Sequence, residues 1–593
     1  MSLVFLSRLP GKKLITSKSS KMKYSSEDKE DMVKERLLNT SPPNKGGWRT
    51  LPFIIANGML EKVVNYGIMP NMTLYLMNQY HMEMTTTSNI IFYWSAAVNF
   101  TPVLGAIFAD SYVGRFRMMG FGCVVNLLGT ILLWLTSMIP QARPPPCNES
   151  TNSCSSATFS QIFLLLTSFV VLAIGVGGIR SSLLAFGVDQ LAKKDGVLER
   201  YFSWYYVSYM VSLLLALSCI VTIEDKMGWP FGFGVCVVVM FLAALSFFIA
   251  SPFYVKVKAK ASLFTELMQV IVASYKNRSF KLSSDTTNML YHHKKGSKLL
   301  VPSEKLRFLN KACIIRYPQQ DLTPDGRATN PWSLCTVDQV EDLKTLLKVI
   351  PIWLTGTIIF INVCQSSFSV LQASSMDRKI IGNFEIPAGS FGVFTIIALI
   401  LWVALYDQVL LPVASRIKGK PVHLTPKQRM GIGIFLSFIS MVVTATVESI
   451  RRSRAFDEGV SDDPQAIVHM SAIWIVPQYC LIGLTEGFNV IAQNEFFISE
   501  LPRSMSSMAS TLSGVGLSVA SLLASFIMNT IDDLTKRGGK ESWISSNINK
   551  GHYDYYYWVL SGLSIANFLF YLICCWIYGP CRDEASKTAT EEV

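Results

Sequence analysis

The sequence is expected to form an all-α polytopic membrane protein, with twelve transmembrane helices in two sets of six, on three observations. Half of its 593 residues are apolar and 16% are charged, against about 25% charged in soluble domains, and its mean hydropathy is +0.35. Windows of about 20 apolar residues, long enough to cross a hydrocarbon core of about 30 Å, recur along the chain. They fall into two groups divided by a polar interval of roughly 95 residues, too long and too charged to span.

Taken in order, a basic tail at 1–48 precedes a first half at 49–250, with spans at 51–79, 89–110, 117–140, 159–190, 202–222 and 228–250. The interval 251–344 follows. The second half, 345–579, has spans at 345–372, 387–412, 430–449, 470–498, 505–531 and 556–578, and residues 580–593 form a short tail. The apolar run VFL is too short for a signal peptide, and Lys12, Lys13, Lys18, Lys21 and Lys23 follow it, so the first tail is expected to stay in the cytoplasm. Both termini are then cytoplasmic. That orientation places Arg115, Arg117, Lys193, Lys194 and Arg200 inside and only Arg143 and Lys226 in the outer loops of the first half. The second half runs against the rule: Arg451, Arg452, Arg454, Lys536, Arg537, Lys540 and Lys550 face outward, against Arg416, Lys418, Lys420, Lys427, Arg429 and Arg503 inside. The first half is taken to decide.

The net charge of +12 lies largely in the first tail and the interval, where it faces the negative inner leaflet and requires no nucleic acid. Within the interval, FTELMQVIVASYKNRSF has apolar residues at helical spacing and reads as an amphipathic helix on the membrane or against the helices, linking the two halves. Of twelve cysteines, Cys147 and Cys154 fall in an outer loop, PPPCNESTNSCSS, where they form a small disulfide or remain as two thiols. The same loop carries a glycosylation acceptor at Asn148. No phosphate-binding glycine loop or zinc pattern occurs, and no histidine falls within a predicted span. His292 and His293, beside Lys294 and Lys295, read as part of a solvated loop. The pattern is that of neither an enzyme nor a holder of metal or cofactor; whether two copies associate is left open.

Charges inside the spans are the informative residues, because each is costly in hydrocarbon unless paired, hydrated or neutralised. Glu61, Arg180 and Glu486 lie about ten to twelve residues from the inner ends of their spans, hence at similar depth at about 1.5 Å per residue. A midplane site between two six-helix halves is where carriers hold substrate and coupling ion. Lys62 points about 100° away from Glu61 on the helix, whereas Asn65, four residues on, shares its face. The glycines of GVGGI allow the fourth span to approach a neighbour closely.

The runs GAIFADSYVGRFR, GGIRSSLLAFGVDQL, WSLCTVDQVEDLKTLLKVIPIW, FEIPAGSFGVF, VPQYCLIGLTEGFNVIAQNEFF and NINKGHYDYYYWVL resemble the plant nitrate/peptide transporter family. This is the plant branch of the proton-coupled oligopeptide transporters in the major facilitator superfamily, and the likeness extends from about Gly47 to Gly579, strongest toward the low-affinity nitrate carriers. It implies the major facilitator fold, two six-helix bundles, alternating access, a proton-driven small anion as substrate, and a place in the plasma membrane. The family's Glu-x-x-Glu-Arg on the first helix reads here as Gly58, Glu61 and Lys62, leaving Glu61 as the titratable member. Its fourth-helix lysine reads as Arg180, and Glu486 matches its tenth-helix carboxylate, so Arg180 and Glu486 are expected to pair across the halves in the empty state. Glu61 and Glu486 are the implied proton-coupling residues. Arg180, Glu486, Lys62, Asn362 and Gln365 form the implied substrate site, the last two replacing a histidine used by one nitrate-carrying relative. Asp110 and Arg115, in the superfamily's GxxxAD-x-x-x-GR pattern, are the implied gating contacts. Nitrate uptake is the first expectation; peptides, hormones or defence metabolites as cargo, and a nitrate sensor with little transport, are the alternatives.

Overall fold

The structure, a computed structural model, describes residues 45–146, 155–191, 197–257, 263–280, 290–293, 301–324, 326–382, 384–419, 424–502 and 505–579. The expected Cys147–Cys154 bridge, Asn148 and most of both tails lie outside the described residues. The first half contains α1 (Leu51–Tyr80), α2 (Met84–Phe108), α3 (Arg115–Met138), α4 (Phe159–Asp189), α5 (Val197–Met227) and α6 (Trp229–Ile249). The amphipathic helix is α7 (Leu263–Lys276). The second half contains α8 (Val337–Ser374), α9 (Ala388–Lys418), α10 (Pro426–Asp457), α11 (Ala472–Glu500), α12 (Ser506–Thr535) and α13 (Tyr553–Tyr578). Of the twelve helices in the two halves, eleven are long and apolar enough to cross a membrane. The remaining one, α1, has the length at 30 residues, but its buried Asn57, Glu61, Lys62, Asn65 and Asn71 make it more polar. Those side chains face protein. The end of the molecule carrying residue 45 is called the inner end below.

Local signals explain several boundaries. Thr158, Thr336 and Thr425 each stand before a helix with a glutamine three residues on, and each forms a reciprocal capping box that starts α4, α8 and α10. The glycines of GVGGI do bring α4 against its neighbours, Gly175 and Gly178 against α3 and Gly177 against Thr101 of α2. A Cβ at Gly178 would fall 2.8 Å from Gly122 Cα, and one at Gly129 would fall 2.7 Å from Leu172 N. Backbone packed on backbone gains dispersion contact where no hydrophobic force separates protein from lipid.

The halves meet along a polar seam between α2 and α12. Asn89 and Asn529 exchange amide hydrogen bonds of 2.8 and 3.1 Å, Ser521 Oγ donates to Ser95 Oγ at 3.1 Å, and Ser518 Oγ donates to the Ala96 carbonyl at 2.9 Å. A second seam joins α5 to the start of α9, where Ser390 Oγ donates to the Leu217 carbonyl at 2.7 Å. Beside it Arg378 forms ion pairs with Glu385 at 2.7 Å and, across the halves, with Asp225 at 3.9 Å. Both seams hold the halves together toward the outer ends of these helices, the first reaching mid-depth at Ser518.

The helix α7 docks on the inner end of the second half: Leu267, Val270 and Ala273 pack with Leu309, Ala312, Cys313, Cys335 and Val340, and Ser274 Oγ donates to the Leu309 carbonyl. His292 departs from the expectation of a solvated loop. It is buried, with Nδ1 3.2 Å from the Cys335 carbonyl, because the strand-like turn around Tyr291 and Ile314 folds it under the start of α8. Burial pushes the thiol of Cys313 up to about 12 and that of Cys335 likewise, so both stay protonated thiols.

Arg451, Arg452, Lys536 and Lys550, four of the seven cations expected to face outward in the second half, find partners within the fold, whereas Arg537 and Lys540 are exposed. Arg451, fully buried, donates to both carboxylate oxygens of Glu448 at 2.9 and 2.7 Å, to Asn549 Oδ1 and to the Ile548 carbonyl. Arg452 reaches the Gly551 carbonyl, Lys536 pairs with Asp532 and Lys550 with Asp462. The positive-inside rule concerns charges that meet the leaflets, not those bound in loops.

The close α3–α4 approach yields a test. Gly175→Val places atoms against the Asn126 backbone, whereas Gly562→Val on α13 meets nothing within 4 Å. Overpacking of this kind costs about 1–3 kcal/mol or more. The expected outcome is a clear loss of monodisperse protein on size exclusion for Gly175→Val and none for Gly562→Val.

Candidate functional site

The cleft between the halves holds a charge cluster on its first wall. Glu61, at the centre of α1, is fully buried. Its Oε1 accepts from Arg180 Nε of α4 at 3.1 Å and from Asn65 Nδ2 at 3.1 Å. Asn65 lies one turn on along the same face, as its spacing requires. The other oxygen, Oε2, lies 3.8 Å from Lys62 Nζ and accepts no hydrogen bond. One carboxylate thus stands between two cations. Lys62 does share the pocket of Glu61, since its flexible four-carbon stem offsets the angle between adjacent helical positions.

Three tyrosines complete this wall. Tyr66 lies under the Arg180 guanidinium, 5.2 Å from ring centroid to Cζ, and Lys62 Nζ sits 5.4 and 5.7 Å from the ring centroids of Tyr209 and Tyr205. Tyr66 and Tyr209 meet edge to face at 6.4 Å. A cation over an aromatic face is attracted by the ring quadrupole, and more so away from water. These residues were missed in the sequence. The signal was present in RYFSWYYVSYM, where Tyr205 and Tyr209 stand four apart and so on one helix face.

Glu486, in α11 on the opposite wall, is partly exposed and lies within electrostatic reach of Tyr209. It takes part in no ion pair among the described residues. The expected Arg180–Glu486 pair is therefore replaced by Arg180–Glu61 within the first half. Arg180 and Glu61 stand on α4 and α1 of the same half, which pack directly together. A long guanidinium satisfies itself on the nearer carboxylate, where the energy gained is larger.

The space left by glycine at position 58 is also occupied. Leu183 of α4 lies over Gly58, against the place a Cβ would take.

Asn362 and Gln365 do not join the cluster. Asn362 Nδ2 donates to Ser437 Oγ and Ser564 Oγ, both at 2.8 Å, and Gln365 accepts from Tyr556 at 3.0 Å while donating to the Ile361 carbonyl. Both are buried and turned into the second half, holding α8 to α10 and α13. Asp110 and Arg115 do pair, at 3.0 Å, and Arg115 also reaches Asp189 Oδ2 at 2.8 Å. This clamp ties the inner ends of α2, α3 and α4. Its third member, Asp189, lay in the run GVDQL without being singled out. In the second half Arg429 of α10 pairs with Glu495 of α11 near the inner end.

Two helical halves embedded in a membrane, held together toward one end and lining a charged cleft, make a multi-pass transporter. Residues 116–544 match PTR2, the POT family. The chain is 50% identical over 566 residues to Protein NRT1/PTR FAMILY 1.2 of Arabidopsis thaliana, covering 94% of this chain and 93% of that one. It is 51% identical over 549 residues to Protein NRT1/PTR FAMILY 1.1 of the same plant, covering 91% and 93%. Its fold matches the in meso crystal structure of the POT family transporter PepTSo with a TM-score of 0.66 at 16% identity, over 90% of this chain and 99% of that one. The chain belongs to the POT family of transporters.

The cluster geometry predicts unequal costs for removing its members. Glu61→Ala leaves two buried cations facing each other, a loss on the scale of about 3–5 kcal/mol for breaking a buried pair. Arg180→Ala leaves Glu61 with Lys62 and costs less. Thermal unfolding of purified protein followed by tryptophan fluorescence should show the larger drop in Tm for Glu61→Ala; the reverse order would assign Lys62 no compensating role.

Proposed function

We propose that the chain is a proton-coupled uptake carrier of the plant plasma membrane, with both termini in the cytoplasm and nitrate as its cargo. The observation that carries this reading is the charge arrangement of the cleft. With every group ionised, Glu61, Lys62 and Arg180 leave the first wall with a single net positive charge, and Glu486 opposite cancels it. A monovalent anion entering that neutral set leaves an uncompensated negative charge unless one carboxylate takes a proton. Glu486 has no cation to lose, so protonation there removes repulsion without breaking a pair. Protonation of Glu61 instead frees Arg180, whose planar fork suits an oxyanion. Whichever carboxylate takes the proton, anion and proton favour each other by the same factor, as linkage requires.

Nitrate fits this set better than a peptide does. A peptide brings an amino terminus that needs a carboxylate of its own, and the position where α1 would supply one is Gly58, covered by Leu183. The tyrosine faces behind the cations suit a flat, weakly hydrated anion.

The test is uptake of isotopically labelled nitrate in oocytes, in acidic and in neutral medium, with surface protein quantified. Acid-stimulated uptake that dipeptides fail to compete supports the reading, and specific binding without uptake would assign a sensor in its place. Glu486→Gln should flatten the acid stimulation while preserving surface protein. Arg180→Ala should abolish uptake, and Arg180→Lys should retain it with apparent affinity changed by about tenfold or less, the cost of trading a planar fork for a point charge.

A further inference from the structure

A second carboxylate is buried far from the central cleft. Glu224 lies at the outer end of α5 and is 1% exposed. Its Oε2 accepts from Asn71 Nδ2 of α1 at 3.1 Å, and its Oε1 has no partner. Asn71 spends its other amide hydrogen on the Val221 carbonyl at 3.2 Å, and its Oδ1 is likewise unpartnered. That oxygen faces the second half: a Cβ on Gly389, at the start of α9, would fall 2.5 Å from it. Asn71, with Leu217 and Val221 of α5, therefore forms the first-half surface of the outer seam, Gly389 with Ser390 forms the other, and Glu224 lies directly behind Asn71, packed on α6. The close approach is possible only because position 389 has no side chain.

No basic residue compensates Glu224. From α6 it faces Gly232 and the thiol of Cys236. From α1 it faces Asn71, with Tyr75 a turn further on committed to Thr136. From α9 it meets no charged group. On its own helix, Asp225 is paired to Arg378, and Lys226 extends over the Phe384 ring. Among the described residues Glu224 is thus a carboxyl group closed off from water without a cation, one hydrogen bond behind a seam that must part for the carrier to open outward.

We propose that Glu224 is a proton-binding site of the outer seal: the halves close over its protonated carboxyl group, and the seal opens as the carboxylate ionises. An ionised carboxylate without a partner is costly to bury and cheap to hydrate, so ionisation favours the state in which water reaches the seam. The proton comes from outer water before closure and returns to it on reopening. By linkage, acid outside stabilises the sealed, inward-open state. The site deepens the carrier reading and is separate from the central cluster, which holds Glu61 and Glu486 at mid-depth.

The test is amide hydrogen exchange of the purified, substrate-free protein in nanodiscs across acidic to mildly alkaline pH, corrected for the intrinsic pH dependence of exchange. Peptides covering 63–80, 217–235 and 518–530 report the seam. Wild type should lose protection as pH rises, by at most about tenfold per pH unit, the limit for one proton. Glu224→Gln, neutral at every pH, should keep the seam protected and abolish that slope, whereas Glu486→Gln should retain it. An unchanged slope in Glu224→Gln, or no slope in wild type, overturns the proposal. Should Glu224→Gln fail to fold, Gly389→Ala serves: its Cβ against Asn71 pries the seam apart, so protection falls and the slope flattens, and a slope kept in full overturns the proposal. No substrate takes part, so failed nitrate uptake and failed seal titration are distinct outcomes.

Discussion

A charge placed at mid-membrane must be compensated in every conformation the protein visits, and much of this structure follows from how that requirement is met. Glu61 sits between Arg180 and Lys62, with Asn65 donating to the same carboxylate oxygen as Arg180. The tyrosines behind the cations take up their outward field. The helix that carries this cluster is the least apolar of the twelve and still sits within the bundle, because its polar groups find protein instead of lipid. Folding and transport therefore draw on the same residues: an ion pair that secures α1 against α4 in the empty state is also the cation an anion can claim.

The two halves solve different problems. The first packs backbone on backbone through glycines on α3 and α4, which makes it compact around its charged wall. The second holds its helices with neutral amides and hydroxyls. Asn362 bridges α8 to α10 and α13, and the buried Glu448–Arg451 pair secures the outer loop before α13. Between them the outer seam uses short side chains, Ser, Asn and Gly, whose hydrogen bonds are individually modest. Such contacts can be exchanged for water at little cost, as a reversible seal requires. Strong pairs lie within the halves, and weak polar contacts dominate between them.

The proton response proposed for this carrier rests on where its carboxylates lie relative to these seams. Glu486 takes part in no ion pair among the described residues, and Glu224 lies buried behind Asn71 of the outer seam. On the proposed mechanism both would change hydration as the halves rock, which would let a proton bias the motion. Glu448 has its charge matched by a neighbouring arginine on the same helix, and such a pair is insensitive to that motion.

Apolar runs of about 20 residues can satisfy their backbone in lipid only as helices, so the count, order and approximate limits of the spans were legible in the sequence. The charges at Glu61, Arg180 and Glu486 were legible as candidate site residues for a related reason: hydrocarbon tolerates them only with a role or a partner. Partner choice was not legible. Arg180 turned to Glu61 instead of Glu486, Lys62 curled back onto the carboxylate beside it, Asn362 and Gln365 turned into their own half, and Asp189 joined Asp110 and Arg115. Each of these depends on which helix lies within a few ångströms. Helical periodicity sets the face a residue occupies along its own axis. Only the packing of one helix against another decides what that face meets.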